Sequence, residues 1–447
     1  MHFNLSRYIR DLTPNLKKIA GNTGWLFADR MIRMGVGVVV WIWIARYLGP
    51  EQFGLLNYSI AFVALISPLA VLGLDNLVIR DVVQNPELKD ELLGTAYAMR
   101  AAGGVLSFFI CLLLILLIRP GETLTHWMVI ILAFTSIIQS FDIIDFWFQS
   151  KIQAKYTVIA KNSAFLISAA IRVYLILIKA PVIYFAWMIL IETLLGAIGM
   201  VIFYHSQGNK LVKWRINSDR ARKLLKDCLF ITLSNSAVLL YMKIDVFILG
   251  QMSGEKSVGI YSAATKVSEI FYFFATIIAS SVFPVIIGES SFYYQRLKKL
   301  FDIMVIVSYL IIIPISFLSP YIIGLFGIKY AASAPVLSVH VWATIFVFLG
   351  VAQTSWYIKE GTRGLYIQLK RTIMGAVINI ILNIILIPMY NALGAAIATI
   401  IAYAYVGYGA NLFRKETMGI FKMQTRSLLL LNFIQRKDKT DPQLPQG

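Results

Sequence analysis

The chain has 447 residues, of which 58% are hydrophobic and only 14% are charged, and its mean hydropathy is +0.73. Soluble chains are nearer to half apolar and a quarter charged, so this composition excludes a soluble multidomain protein, a disordered chain and a disulfide-rich secreted scaffold. The apolar residues occur in blocks of about 20, the length of a helix that crosses roughly 30 Å of hydrocarbon. The sequence therefore predicts an all-α protein that spans the membrane many times.

The apolar blocks and the turn residues between them predict twelve transmembrane helices. Turn residues such as Gly49-Pro50 and Pro120-Gly121 fall between the blocks, where loops are needed. The predicted spans are residues 25–47, 53–74, 94–118, 124–148, 157–178, 181–204, 228–250, 258–287, 300–323, 335–357, 367–388 and 392–413.

Basic residues alternate between the two sides of this map. The loops and tails on the side that holds both termini contain 30 Lys and Arg residues, and the loops on the opposite side contain five. Cytoplasmic loops carry such an excess, so both termini are predicted to be cytoplasmic. The same excess explains the net charge of +18 without nucleic-acid binding. Residues 1–24 contain no apolar signal-peptide core, so the first span is expected to direct insertion.

The longest loop of the map divides the chain into two halves of six spans. We expect a cytoplasmic N-terminal segment (1–24), an N-lobe (25–204), a basic cytoplasmic linker (205–227), a C-lobe (228–413) and a cytoplasmic tail (414–447). The basic, partly amphipathic linker is expected to form a helix on anionic headgroups while it tethers the lobes. The last dozen residues are expected to be disordered.

The two halves contain a similar sequence where the second span of each begins. Leu48-Gly49 leads through a polar turn to Tyr58-Ser59, and Leu249-Gly250 leads similarly to Tyr261-Ser262. Because each half has six spans, both begin on the same side of the membrane, which makes them parallel repeats. Parallel repeats are typical of transporters whose site lies near the midplane between the halves.

Ionisable residues inside spans are costly and are candidate functional residues. Asp29 and Arg33 are i,i+4 neighbours, and the fifth span carries Lys161 and Arg172 on one face. The candidate cations of a central cavity are Arg33, Lys161, Arg172, Lys243 and Lys266. The candidate acids, which would either bind a coupling ion or pair with these cations, are Asp29, Glu192, Asp245 and Glu269.

Residues nearer the membrane surface fit a structural role better. Asp142 and Asp145 lie within about two turns of the predicted cytoplasmic surface, where carboxylates meet water or form packing salt bridges. The four histidines and two cysteines are scattered and show no metal-ligand spacing. We therefore expect no metal, no cofactor and no catalytic residue.

Several stretches together resemble the polysaccharide (O-antigen type) flippases of the multidrug/oligosaccharidyl-lipid/polysaccharide exporter superfamily. The resemblance covers residues 25–413 and is most specific in the first turn, Leu48 to Gly54, when it is combined with a six-plus-six arrangement. The matching stretches are Asn22–Leu26 with Asp29-Arg30, Ala45–Gly54, Lys243–Asp245, Leu249-Gly250, Val258–Lys266, Gly327–Tyr330 and Ala334–Leu337.

The resemblance implies two six-helix lobes that form a V around a central cavity. It implies a transporter that moves an undecaprenyl-diphosphate-linked oligosaccharide to the outer leaflet of the bacterial cytoplasmic membrane, with a counter-ion gradient driving the cycle. Cationic cavity residues would hold the diphosphate. Membrane lipids, a polysaccharide polymerase and the chain-length machinery are the further partners that it implies, and nucleic acid is not among them.

Two other functions stay open at the level of sequence. A drug or cation antiporter of the same superfamily would have a cavity dominated by unpaired acids, and Glu192, Asp245 and Glu269 are compatible with it. A membrane glycosyltransferase or polymerase would need a soluble catalytic loop with metal-binding carboxylates. The short predicted external loops count against that enzyme.

Overall fold

The computed structural model describes residues 5–288 and 292–431, and in this part of the chain nearly all residues are helical and no strand occurs. The all-α, multi-span class predicted from the composition is confirmed. Residues 1–4 lie outside the described ranges, and so do the last dozen residues, which the sequence predicted to be disordered.

Most of the helices are long, as membrane spans require, and a few short ones lie between them. In chain order they are α1 (Leu5–Ile66), α2 (Pro68–Val71), α3 (Asp75–Gln84), α4 (Lys89–Ile118), α5 (Thr123–Ile138), α6 (Ile143–Ser150), α7 (Ala154–Leu177), α8 (Ile183–Ser206), α9 (Ser218–Glu269), α10 (Tyr272–Gly288), α11 (Tyr293–Gly324), α12 (Ser333–His340), α13 (Ala343–Lys359), α14 (Gly361–Tyr390), α15 (Ala392–Gly407) and α16 (Lys415–Leu428).

These helices account for twelve crossings of a membrane. Among the described residues, nine helical stretches are long and apolar enough to span. Two of them, Gly24–Ile66 with 43 residues and Ser236–Phe283 with 48, are each long enough for two spans of about 20 residues. The shorter apolar helix α15 supplies the last crossing of the predicted map.

Each of the two double-length helices is interrupted at one glycine. Gly49 has φ 72° and ψ 170°, and Gly254 has φ 76° and ψ 178°. Only glycine adopts this region readily, because a Cβ would collide with the backbone there. The two breaks therefore align Gly49 with Gly254. The alignment of the two halves by sequence paired Gly49 with Gly250 instead, because both glycines follow a leucine. The positions of the two helix breaks show that this pairing was wrong.

The linker between the predicted lobes is helical only in its second half. Leu211–Lys213 form a short 3-10 turn, and α9 begins at Ser218 and continues without interruption into the seventh span. Asn217 caps α9, because its Oδ1 accepts hydrogen bonds from the backbone amides of Asp219 at 3.0 Å and Arg220 at 3.1 Å. The expected headgroup helix over the whole linker was wrong for residues 207–217.

The chain forms two compact units, Met1–Gly250 and Gln251–Gly447. A buried core in the first joins α3, α4, α6, α8 and α9, and a second core joins α10, α11, α13, α14 and α16. In the second unit the tail helix α16 is part of the fold, since Ile420 is 1% exposed and Ser427 Oγ donates to Asp302 Oδ1 at 2.6 Å. The lobe boundaries drawn from the sequence stay a prediction.

Candidate functional site

Helices α1, α7 and α8 of the first unit bring two arginines and two carboxylates into a chain of ion pairs. Arg33 Nε lies 2.9 Å from Asp29 Oδ1, one helical turn earlier. Glu192 on α8 contacts both arginines, with its Oε1 3.8 Å from Arg33 Nη1 and its Oε2 2.8 Å from Arg172 Nη2. Spacing predicted the first pair, whereas the second and third depend on packing between helices.

A further ion pair joins α7 to the fourth span. Lys161 Nζ lies 2.8 Å from Asp142 Oδ1. The neighbouring acid, Asp145, accepts a hydrogen bond from Thr157 Oγ1 at 2.6 Å and another from Gln149 Nε2 at 3.1 Å. Asp145 is therefore a packing residue, as its position near the surface predicted, and Asp142 contacts a candidate site cation.

The fourth span is interrupted where it carries Asp142. Helix α5 ends at Ile138, residues Gln139–Asp142 form a 3-10 turn, and α6 continues from Ile143. The turn contains neither Pro nor Gly. Ser140 Oγ donates to the carbonyl oxygen of Ile137 at 2.8 Å, and such a bond competes with the helical backbone pattern. Broken spans of this kind often border the binding sites of transporters.

Four of these charged groups border a cavity of about 170 Å³ inside the first unit. Its charged lining consists of two cations and two carboxylates, so the signs are balanced. The lining residues are Arg33, Asp142, Lys161, Glu192, Gln139, Thr193, Ile138, Gly196, Ala197 and Met200. The cavity thus offers positive charges that are already paired.

Pairing limits what this site can bind. In a partly buried setting each ion pair is stronger than in water, and a charge that loses its partner is costly. An anionic group can still bind, because Arg33 and Lys161 are both half-buried and can form charge-assisted hydrogen bonds. It must, however, share these cations with the carboxylates that already contact them.

The remaining predicted site residues lie on α9. Lys243 and Asp245 belong to the first unit and are not among the residues that line the cavity described above. Asp245 is buried, and its Oδ1 accepts a hydrogen bond from the amide of Val246 at 2.7 Å. Lys266 and Glu269 belong to the second unit and are half-buried. Their roles stay predictions.

Sequence reasoning did not single out Arg100, which proves to be buried in α4. It is 4% exposed, and its Cζ lies 5.5 Å from the ring centre of Phe146. The charge count had assigned Arg100 to a cytoplasmic loop. Its position six residues inside the predicted span 94–118 was the signal that could have identified it.

No group of three or more His, Cys, Asp or Glu residues is placed to hold a metal ion within the described ranges. Both cysteines are buried, and neither forms a disulfide.

Solved transporters share this fold. The chain superposes on the lipid II flippase MurJ in an inward closed conformation with a TM-score of 0.63 at 17% identity, over 94% of this chain and 93% of that one. It superposes equally well, at 15% identity, on an inward-facing multidrug resistance MATE family transporter of the MOP superfamily, over 90% and 96% of the two chains. At these identities the likeness establishes the fold.

One sequence relative is named for glycan biosynthesis. The chain is 28% identical over 190 residues to the Probable low-salt glycan biosynthesis flippase Agl15 of Haloferax volcanii. That match covers 41% of this chain and 40% of the relative, so the chain spans about two fifths of the curated protein that it matches. The model of the family described as polysaccharide biosynthesis protein matches residues 19–290. Because that match covers more than half of its length, the chain belongs to the polysaccharide biosynthesis protein family.

Proposed function

We propose that this protein is a flippase for lipid-linked oligosaccharides. It carries repeat units linked to undecaprenyl diphosphate from the inner to the outer leaflet of a bacterial cytoplasmic membrane, for the assembly of surface polysaccharide such as O-antigen, capsule or exopolysaccharide. The observation that carries the proposal is the cavity that holds Arg33, Lys161 and, through Glu192, Arg172 among apolar spans.

Physical chemistry explains why such a cargo needs such a cavity. The sugar hydroxyls and the charged diphosphate cannot enter hydrocarbon without losing their hydration. Arginine and lysine can replace that water with charge-assisted hydrogen bonds, and arginine can contact two phosphate oxygens at once. The prenyl chain stays in lipid while the polar cavity opens first to one side of the membrane and then to the other.

The relatives support this proposal, although none of them identifies the cargo of this chain. Agl15 is named a glycan biosynthesis flippase and MurJ a lipid II flippase. We therefore include the lipid carrier, the bacterial membrane and the cytoplasmic position of both termini in the proposal. Membrane lipids are its immediate partners, and the polysaccharide polymerase and chain-length machinery are expected to act on its product.

A drug or cation antiporter is the second candidate, because the MATE transporter has the same fold and the same TM-score as MurJ. That function favours carboxylates free to bind a cation. In the cavity described above, Asp142 pairs with Lys161 and Glu192 pairs with Arg172. This pairing of the carboxylates makes the antiporter the weaker candidate. For either transport function we propose no catalytic residue and no cofactor.

The test is a flipping assay with the purified full-length chain in liposomes. Undecaprenyl-diphosphate-linked oligosaccharide is placed in both leaflets, and an added glycosidase digests only what is exposed outside. We expect the protein to make the protected fraction accessible, and Arg33→Ala with Lys161→Ala to abolish this. Transport of a cationic dye without any flipping of lipid would establish the antiporter instead.

A cellular experiment separates a flippase from an enzyme. Deletion of the gene should leave lipid-linked repeat units on the cytoplasmic leaflet while their synthesis continues. If the lipid-linked intermediate did not form at all, the protein would be an enzyme of its synthesis.

A further inference from the structure

An apolar groove runs along the first unit between α1 and α7, the two helices that also carry Arg33 and Lys161. Its volume is about 460 Å³, within the range of about 300–1,000 Å³ that ligand pockets have, and its lining residues are all Gly, Ala, Val, Leu or Trp. Its walls include Val36, Val39 and Trp43 on α1 and Leu166, Ala170 and Val173 on α7. Several of these side chains are exposed, so the groove is open along one side.

The groove begins where the charged cavity ends. Val36 and Val40 lie three and seven residues after Arg33, on the same face of α1. Arg33 lines the cavity, whereas the two valines line the groove. The Arg33 Cζ lies 5.3 Å from the centre of the Phe165 ring, and Phe165 directly precedes Leu166 of the groove. A ligand whose anionic end pairs with Arg33 therefore meets an apolar surface directly beyond it.

The order of the two sites matches the orientation of a lipid in the cytoplasmic leaflet. In the predicted map, the first and fifth spans both enter the membrane from the cytoplasm. Arg33 therefore lies nearer the cytoplasm than the groove residues of α1, and Lys161 lies nearer than those of α7. From Arg33 to Trp43 the rise along α1 is about 15 Å, half of a hydrocarbon core of roughly 30 Å. A lipid with its phosphate in the cavity can extend its chain through the groove toward the middle of the bilayer.

We propose that this groove binds the prenyl chain of the cargo where the chain joins the diphosphate, while the diphosphate binds Arg33 and Lys161. The inference rests on the proposed function, since it takes the cargo to be a prenyl-diphosphate-linked oligosaccharide. From Gly35 to Trp43 the groove is about 12 Å long. An undecaprenyl chain is several times longer, so the rest of it stays in lipid.

Anchoring and packing, rather than removal from water, select the chain that occupies the groove. Lipid chains are as apolar as the residues that line it, so apolarity alone selects no chain within a bilayer. A chain that fills the space left by the small residues Gly35, Ala169 and Ala170 gains contacts on several sides. A chain whose diphosphate is held at Arg33 is already at the entrance of the groove. Its effective concentration there exceeds that of lipid chains without such an anchor.

Substitutions that fill the groove test this assignment. Ala170→Leu narrows it from α7, and Gly35→Leu narrows it from α1, where no atom of the described residues lies within 4 Å of the Cβ position. Farnesyl diphosphate, a short prenyl diphosphate, and inorganic diphosphate are each titrated into the full-length protein in detergent. We expect either substitution to weaken the binding of farnesyl diphosphate about tenfold. The binding of inorganic diphosphate should not change, because the cavity keeps its cations.

Two control variants make the titration specific. Ile167→Phe adds bulk at an exposed position of α7 that lines neither the groove nor the cavity, and it should leave both affinities unchanged. Arg33→Ala should weaken the binding of both ligands, since both present phosphate to this cation.

Photo-crosslinking identifies the occupant of the groove directly. The photoreactive residue benzoylphenylalanine replaces Leu166 of the groove in an otherwise unchanged chain, reconstituted in phosphatidylcholine with farnesyl diphosphate added. We expect a farnesyl adduct at this position. The same residue in place of Ile167 should give none.

The outcomes separate the groove from the function on which it rests. Unchanged binding of farnesyl diphosphate in both filled variants would overturn the groove and leave the proposed function standing. If the filled variants fail to fold, the crosslink at Leu166 decides. A phospholipid adduct there that excess farnesyl diphosphate does not displace would make the groove an ordinary lipid contact and overturn the assignment. A wild type that binds neither diphosphate would overturn the proposed function together with the groove.

Discussion

Arg119 Nη2 donates a hydrogen bond to the carbonyl oxygen of Gly250 over 2.6 Å. The two residues are 131 positions apart, so this contact ties the end of α4 to the seventh span. The guanidinium also lies 4.0 Å from the centre of the Tyr58 ring, which stacks on Phe247. Arg119 is 6% exposed, and Tyr58 is completely buried. The charge count had treated Arg119 as an ordinary loop residue.

Gly250→Ala should destabilise the protein. A Cβ at this position would overlap the ring of Tyr58, which is held between Arg119 and Phe247 and has little room to move. Overpacking of this kind costs about 1–3 kcal/mol, to be measured as the free energy of unfolding in detergent. Gly419→Ala in α16 is the matched control, because no atom lies near its Cβ position and alanine favours a helix. Equal stability of the two variants would contradict the prediction.

Glu192→Gln should destabilise the protein and Glu192→Gln with Arg172→Gln should restore part of the loss. The single change leaves Arg172 without its carboxylate, and the double change removes both charges. Breaking an exposed ion pair lowers the free energy of unfolding by about 1 kcal/mol, and breaking a buried one lowers it by about 3–5 kcal/mol. This pair is partly buried, so we expect a loss between these two values. Glu416→Gln, which removes an exposed partner of Arg363, should not change the unfolding measurably.

Cysteine labelling tests the orientation. Single cysteines at Lys213 and Arg363 should react only from the cytoplasm, and those at Glu122, Glu255 and Tyr390 only from outside. Cys111 and Cys228 are buried, so the background should be low. One position on the wrong side would contradict the twelve-span map. Lys437, predicted to be cytoplasmic, lies outside the described residues and tests the tail independently.

The free energy of unfolding should fall as the pH rises above the ordinary pKa of an aspartate, because of Asp75. Burial, opposed by the charge of Arg100, raises the pKa of this carboxyl, which lies in α3 between two spans. A raised carboxyl pKa means that the folded state holds the proton longer than the unfolded state, so the stability is greatest below the unfolded pKa and declines up to the folded one. Asp75→Asn should remove this decline. Thermal unfolding at pH 4 to 8 for both proteins measures it, and identical profiles would contradict it.

Local patterns predicted the parts of this molecule that depend on neighbours in sequence. The apolar blocks predicted the spans, and the i,i+4 spacing of Asp29 and Arg33 predicted their ion pair. The break in the fourth span was not predictable from turn residues, because Ser140 and the packing around it replace Pro or Gly. Distance along a span gives a residue's depth in the membrane but not the helix that it faces. For that reason the sequence did not show that Asp142 would pair with Lys161, or that Glu192 would join two arginines.

Lys266 and Glu269 provide the final test of the cationic residues, in the second unit. If Lys266 holds an anionic group of the cargo, Lys266→Ala should abolish flipping in a normally inserted protein, and so should Lys266→Ala with Glu269→Ala. If the lysine only neutralises Glu269, removal of both charges should be tolerated better than removal of one, because a lone charge inside the membrane is the costly state. We expect the double variant to be folded and inactive. Flipping and protein level are measured together for all four proteins of the cycle, so that loss of folding is not taken for loss of transport. Recovery of flipping in the double variant would assign the pair to structure and remove Lys266 from the site.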